Sequence, residues 1–279
     1  MRNIVFAFIV CLPLHLEAQH TEKFITLSNQ LNEASGIVAV DDTTFIVQND
    51  GGNEPLLYVI DRIGKLLHTC RVLNATNEDW EDLTLDDAGN LYIGDFGNNL
   101  NTRKDLKIYK VNIYTVLNQH QVSPEIIEFH YKEQVAFPPR DSELEFDCEA
   151  LTYFKGKLHL FTKSSAKPWN GYTYHYELPV LEGSYEINRI DSIFIGKSGW
   201  MLDAVTGITS DDRSLYLLTY NRVVVIDMIS KKKRNEINFK GYNQKEGIAV
   251  GSDGSIYIVA EKQRFIGGPY LYLINYDKE

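Results

Sequence analysis

A short phrase returns five times along this chain: Ser35-Gly36-Ile37, Glu81-Asp82-Leu83, Glu149-Ala150-Leu151, Thr206-Gly207-Ile208 and Glu246-Gly247-Ile248. An alternating apolar run follows each within a few residues, as in Leu91-Tyr92-Ile93 and Ile256-Tyr257-Ile258. Self-similarity of this kind marks stacked or radial sheet units rather than one ordinary domain. The intervals between phrases are 46, 68, 57 and 40 residues, so the units are irregular copies.

Short runs of β-branched and aromatic residues between turn residues read as strands. The first unit predicts strands at 36–40, 44–48, 57–61 and 65–72, and the second at 83–85, 90–94, 107–111 and 125–130. The third gives 151–154, 158–163, 173–178 and 186–194, and the fourth 207–210, 214–219, 223–227 and 235–239. The fifth has only 247–250, 255–260 and 270–275, while a spare strand stands at 23–27. Pairing the spare strand with the last unit completes it and removes a free sheet edge. The expected architecture is therefore all-β, a five-bladed β-propeller closed by the N-terminal strand. A six-bladed alternative would have to split the second interval, which holds one four-strand set and a loop at 131–147. An irregular β-sandwich would not explain why the phrase recurs in the same place.

The chain starts Met1-Arg2-Asn3, continues Ile4-Val5-Phe6-Ala7-Phe8-Ile9-Val10-Cys11-Leu12, and reaches Leu16-Glu17-Ala18 before Gln19. That order reads as a signal peptide over 1–18 preceding a single propeller domain over 19–279, and hence an exported protein, periplasmic or extracellular. Lipid anchoring at Cys11 is the minor alternative, and no transmembrane segment is expected in the mature chain. The formal net charge of −10 argues against nucleic acid as a partner. A monomer is expected. Cys70 and Cys148 are left after processing, either paired or free.

Glu81, Glu149 and Glu246 hold the same position in three repeats. The first strand of a propeller blade lines the central channel, so the three carboxylates are expected to converge at one mouth. Converging carboxylates repel unless a proton or a cation intervenes, which makes a hard, calcium-type cation the natural cofactor. Asp203 is a further candidate ligand, while Ser35 and Thr206 put hydroxyls at the repeat position. The alternatives are side chains that cap neighbouring blades, or a catalytic carboxylate. Trp80, within Asn77-Glu78-Asp79-Trp80-Glu81-Asp82, reads as a ligand-facing rim aromatic or as packing between blades. Asp95, Asn98, Asn99 and Arg103 lie on a second loop of that rim, which either faces a ligand or bonds its own backbone. Lys163 and Arg222 are candidates to hold an anionic ligand. The histidines, His159 and His175 among them, show no ligand spacing. Nothing points to a haem, nucleotide or zinc site, and no Gly-x-Ser-x-Gly or His-Glu-x-x-His motif is present.

The stretch from Asn77-Glu78-Asp79-Trp80-Glu81-Asp82-Leu83 through Asn90-Leu91-Tyr92-Ile93-Gly94-Asp95-Phe96-Gly97-Asn98-Asn99 resembles a segment of secreted propellers from Bacteroidetes-type bacteria. Phe146-Asp147-Cys148-Glu149-Ala150-Leu151-Thr152-Tyr153 is similar to their next blade. More distantly, the mature chain resembles the SdiA-regulated family of exported propellers. That resemblance implies calcium binding, which would fall on Glu81, Glu149 and Glu246, and the acidic pattern departs from the family's at Ser35 and Thr206. The leading expectation is an exported binding or surface-associated propeller with a cation at the channel mouth and a small-molecule, glycan or protein ligand. The alternative is a calcium-dependent phosphoester or lactone hydrolase with Glu81, Glu149 or Asp203 as base. A third class is a protein-interaction platform without small-molecule chemistry.

Overall fold

The computed structural model describes residues 21–239, 241 and 243–275. The leader at 1–18 and Cys11 lie outside them. Five sheets, each with four antiparallel strands, are arranged as a five-bladed propeller. Blade 1 contains Ala34–Ala39, Thr44–Asn49, Leu56–Asp61 and Leu66–Val72. Blade 2 contains Trp80–Leu85, Asn90–Asp95, Lys107–Asn112 and Glu125–Tyr131. Blade 3 contains Cys148–Phe154, Lys157–Thr162, Tyr172–Pro179 and Arg189–Phe194. Blade 4 contains Val205–Ser210, Ser214–Thr219, Arg222–Asp227 and Lys233–Asn238. Blade 5 has Lys245–Val250, Ile256–Ala260 and Tyr270–Asn275, and its outer strand is the N-terminal Thr21–Thr26. The closing strand runs antiparallel to the last, from Thr21 opposite Asn275 to Thr26 opposite Tyr270. Among the described residues no helix is long and apolar enough to cross a membrane.

Period-two alternation feeds both faces of each blade. In blade 1, Ile46 points into a cluster with Trp80 and Ile93 of blade 2, while Phe45 and Val47 face Tyr257 and Val259 of blade 5. The same sharing builds apolar layers between blades 2 and 3, 3 and 4, and 4 and 5. Cys70 and Cys148 are buried free thiols in different layers.

The structure departs from the expected strands in two places. The predicted strand 186–194 is two strands: Arg189–Phe194 stays in blade 3, while Gly183–Ile187 pairs in parallel with the outer strand of blade 2. Gln121–Val122, after the short helix Ile113–Asn118, likewise pairs in parallel with the outer strand of blade 1. Both links cover sheet edges that would otherwise expose unpaired backbone groups. The repeated phrase also lies inside the innermost strands, not before them. In all five it coincides with a break in register: Ala34/Ile37, Trp80/Leu83, Cys148/Ala150, Val205/Gly207 and Lys245/Gly247. A bulge re-aims a side chain and tightens the twist, so the phrase is the sequence of a repeated bulge.

The bulge brings the innermost strands together backbone to backbone. A Cβ on Gly247 would collide with the Ser35 carbonyl and sit 3.0 Å from Ile37 N; one on Gly36 would lie 2.9 Å from Leu83 N. Ser35 Oγ donates to the Glu81 carbonyl at 2.6 Å, and Thr206 Oγ1 to that of Lys245 at 2.7 Å. Asp82, fully buried, stitches three blades: its carboxylate accepts from Leu83 N at 2.8 Å, Leu151 N at 2.9 Å and Ile208 N at 3.4 Å.

Gly247→Ala is expected to cost at least about 2–3 kcal/mol, because the new methyl overpacks against backbone that cannot rotate away. Gly52→Ala, with φ +79° and open space around the new Cβ, carries only the left-handed backbone cost of about 1 kcal/mol. Urea unfolding of the two variants tests the difference, and equal losses would refute the close-approach role of Gly247.

Candidate functional site at the channel mouth

The bulge places the repeat glutamates near the end of the channel where each innermost strand begins. Acids two residues earlier, just ahead of these strands, join them, giving Asp79 with Glu81 and Asp147 with Glu149. The second ring of contributors is the residue that follows the second strand in four blades, Asp50, Lys163, Tyr220 and Glu261, while Phe96 at that position in blade 2 packs in the apolar layer against blade 3. Asn77 fastens blades 1 and 2 here, its amide donating to the Asn49 and Asp50 carbonyls at 3.0 and 2.8 Å.

Asp50, Asp79 and Glu81 each offer a carboxylate oxygen, and these oxygens lie within 4.8 Å of one another. Among the described residues none of the three is ion-paired. Two glycines make room for them: a Cβ on Gly97 would occupy the space of the Glu81 and Asp79 carboxylates, and one on Gly51 that of Asp79. The oxygen-only donor set fits a hard cation rather than a soft one.

Beside this group the buried Lys163 ammonium is 3.1 Å from Glu149. It also lies 5.3 Å from the Trp200 ring centre and 5.5 Å from that of Tyr220. Burial works against this cation, but the surrounding carboxylates, Glu149 foremost, hold its pKa well above the usual lysine value. Burial and neighbouring carboxylates push the acids up: Asp50 to about 7, Glu149 to about 8 against the pull of Lys163, and Glu261 to about 7. Glu81 and Glu246 are raised strongly, chiefly by burial. Asp147 is raised by burial to about 6, against the pull of Lys163 and of the hydrogen bond from Asn98 N. The indole N–H of Trp200 is buried without a partner.

The other candidates are placed differently. Trp80 does not face the rim; it is fully buried, donates its indole N–H to the Thr76 carbonyl at 3.0 Å and packs against Tyr109. Asp95 and Arg103 form an internal clamp at 2.9 Å, with Asp95 accepting from Asp79 N and Arg103 donating to the Gly97 carbonyl. Asn98 ties blades 2 and 3, its N–H on Asp147 at 2.7 Å and its amide on the Phe146 carbonyl. These residues hold the mouth acids from behind, whereas Asn99 is exposed. Asp203 does not join the three-carboxylate group. It accepts from Arg222 at 2.7 Å and from Ser198 N, and Arg222 also donates to Glu236 and to the Ile195 and Leu202 carbonyls. Of the basic candidates only Lys163 reaches the mouth acids. Trp200 and Asp147 went unrecognised as mouth residues, whereas Tyr220 and Glu261 follow the second strands of their blades, a position that the sequence itself marks as a polar rim loop. The histidines also depart from expectation, since His159 and His175 meet within blade 3.

No protein-family profile matches the sequence, and no curated protein matches it. Its fold is similar to that of the glutaminyl cyclase of Myxococcus xanthus, with a TM-score of 0.57 and 12% identity over 91% of this chain and 94% of that one. It is also similar to a solved structure provisionally described as a gluconolactonase, with a TM-score of 0.51 and 12% identity over 91% and 92% of the two chains.

Proposed function

We propose that this is an exported binding propeller whose channel mouth takes a calcium-type cation between Asp50, Asp79 and Glu81. The observation that carries this reading is the convergence of three carboxylates without a basic partner, in space two glycines leave open. The resemblance to exported propellers implying calcium binding supports it at Glu81. Glu149 and Glu246 fall outside the three-carboxylate group and would act beside the cation. The unpartnered Trp200 N–H and the adjacent Lys163 supply a donor and a positive charge for an anionic or hydroxylated ligand.

Calorimetry on chelator-treated protein is expected to show one calcium site per chain. Asp79→Asn and Glu81→Gln should each weaken it by at least about tenfold, since affinity follows the number of charged ligands. Unchanged affinity in both variants would overturn the assignment.

The mouth carboxylates Asp50, Glu149 and Glu261 set a pH dependence. Their pKa values are higher in the folded than in the unfolded chain, so the folded state binds more protons near neutrality. The stability they contribute is present at low pH and lost as pH rises through about 7 to 8. Each such group contributes a slope of up to about 1.4 kcal/mol per pH unit. Metal-free protein is therefore expected to melt lower at pH 8.5 than at pH 6.5, and calcium should reverse that loss. A higher melting temperature at pH 8.5 without calcium would contradict the protonated mouth.

A second reading, a phosphoester or lactone hydrolase, is favoured by Glu149, whose carboxyl holds a proton near neutral pH beside a fixed ammonium. A cation at the mouth would supply Lewis acidity; Glu149 would give or take the proton, and Lys163 would hold an anionic group. Glu149→Gln is expected to lower turnover by about 10²–10⁴-fold with the fold intact. The substrate panel should cover phosphoesters, lactones and peptides with N-terminal glutamine, and full activity in the variant would exclude Glu149.

A further inference from the structure

We propose a second metal site, separate from the mouth, in which His159, His175 and Glu177 on one face of blade 3 bind a zinc-type divalent cation. His159 and Glu177 are register partners on adjacent strands, and His175 stands opposite Phe161 two places along. Side chains opposite one another share a face, so all three point toward blade 4. His159 Nδ1 lies 2.9 Å from His175 Nε2 and 3.7 Å from Glu177 Oε1. The three donor atoms lie within 4.8 Å of one another, and the 2.9 and 3.7 Å separations from His159 Nδ1 are ones that an ion with bonds of about 2.0–2.2 Å can span.

The surroundings prepare these atoms. His159 Nε2 is 3.2 Å from the Phe154 carbonyl, which can only accept, so the proton sits on Nε2 and the Nδ1 lone pair is bare. A ligating histidine is typically oriented by such a bond from its other nitrogen. The His159 ring stacks on Phe154 with centroids 3.4 Å apart, and His175 stacks on Phe161 at 4.4 Å, both within 8° of parallel. Both histidines are 2% exposed, while Glu177 faces an open groove of about 530 Å³. With His159 Nδ1 bare, the 2.9 Å contact requires His175 Nε2 to donate, which leaves its buried Nδ1 with neither proton nor partner. On metal binding the Nε2 proton transfers by way of solvent to Nδ1, and the freed lone pair joins the ion without net proton release. Lys157 neutralises Glu177 through Oε2 but leaves Oε1 toward the histidines. The fourth position is open to the groove, which Asp191, opposite His175, also lines. The nitrogen-rich set prefers zinc, cobalt or nickel over calcium.

The test uses full-length processed protein, stripped of metal and titrated with Co²⁺ and then Zn²⁺. One Co²⁺ per chain is expected, with the visible absorption of a four- or five-coordinate ion displaced by one equivalent of Zn²⁺. His175→Gln and Glu177→Gln should each weaken Zn²⁺ binding by at least about tenfold, as loss of a coordinating group requires. Glu177 is partly exposed, so that variant tests the site even if the histidine variant folds poorly. Glu81→Gln should leave the signal unchanged, which separates this site from the mouth. Absence of the Co²⁺ band, a band lost in Glu81→Gln, or Zn²⁺ affinity unaffected by Glu177→Gln would each overturn the proposal.

Discussion

The structure depends on the backbone-to-backbone approach of the five innermost strands at their bulges. At Gly36, Gly207 and Gly247 there is no room for a side chain between one blade and the next. At the two remaining positions Ala150 adds only a methyl, and Asp82 turns its carboxylate into a hydrogen-bonding hub for three strands. Larger residues at the glycine positions would push neighbouring blades apart and open the apolar layers that lie further out. Those layers supply most of the favourable burial, and they pack around the closed centre.

The same closure creates an electrostatic problem at one end. Asp50, Asp79, Glu81, Asp147, Glu149, Glu246 and Glu261 influence one another there, with Lys163 as the cation among them. Burial raises the cost of every uncompensated charge, so protons, the lysine and a metal ion are alternative ways of balancing this group. Which of them dominates depends on pH and on available cations, and this is why the proposed binding and acid–base roles share residues. The Asp95–Arg103 clamp and the Asn98 bridge keep the acids from relaxing apart.

Blade number and ring closure were legible because both rest on periodic patterns: the returning phrase, the alternating strands, and a spare strand matching an incomplete last unit. The convergence of acids at the mouth was legible in part, since a repeat position maps to a place on the ring. Trp80 was ambiguous because an aromatic among acids looks the same in sequence whether it points outward or inward. Arg222 and Asp203 looked like rim charges and instead neutralise each other, a pairing between residues 19 positions apart that depends on how the Trp200–Asp203 turn packs. His159 and His175 carried no recognisable motif because their proximity follows from hairpin register, not from their 16-residue spacing.

The sequence by itself determined the architecture, since period-two alternation and a five-fold phrase admit few ways of burying both faces of every sheet. It also determined that three glutamates share a ring position. Only the tertiary structure decided which charges meet: Asp50 with Asp79 and Glu81, Glu149 with Lys163, Asp203 with Arg222, and His159 with His175 and Glu177. Alternation is local and survives in any single strand, whereas a contact between side chains requires bulges, register and blade closure to act together.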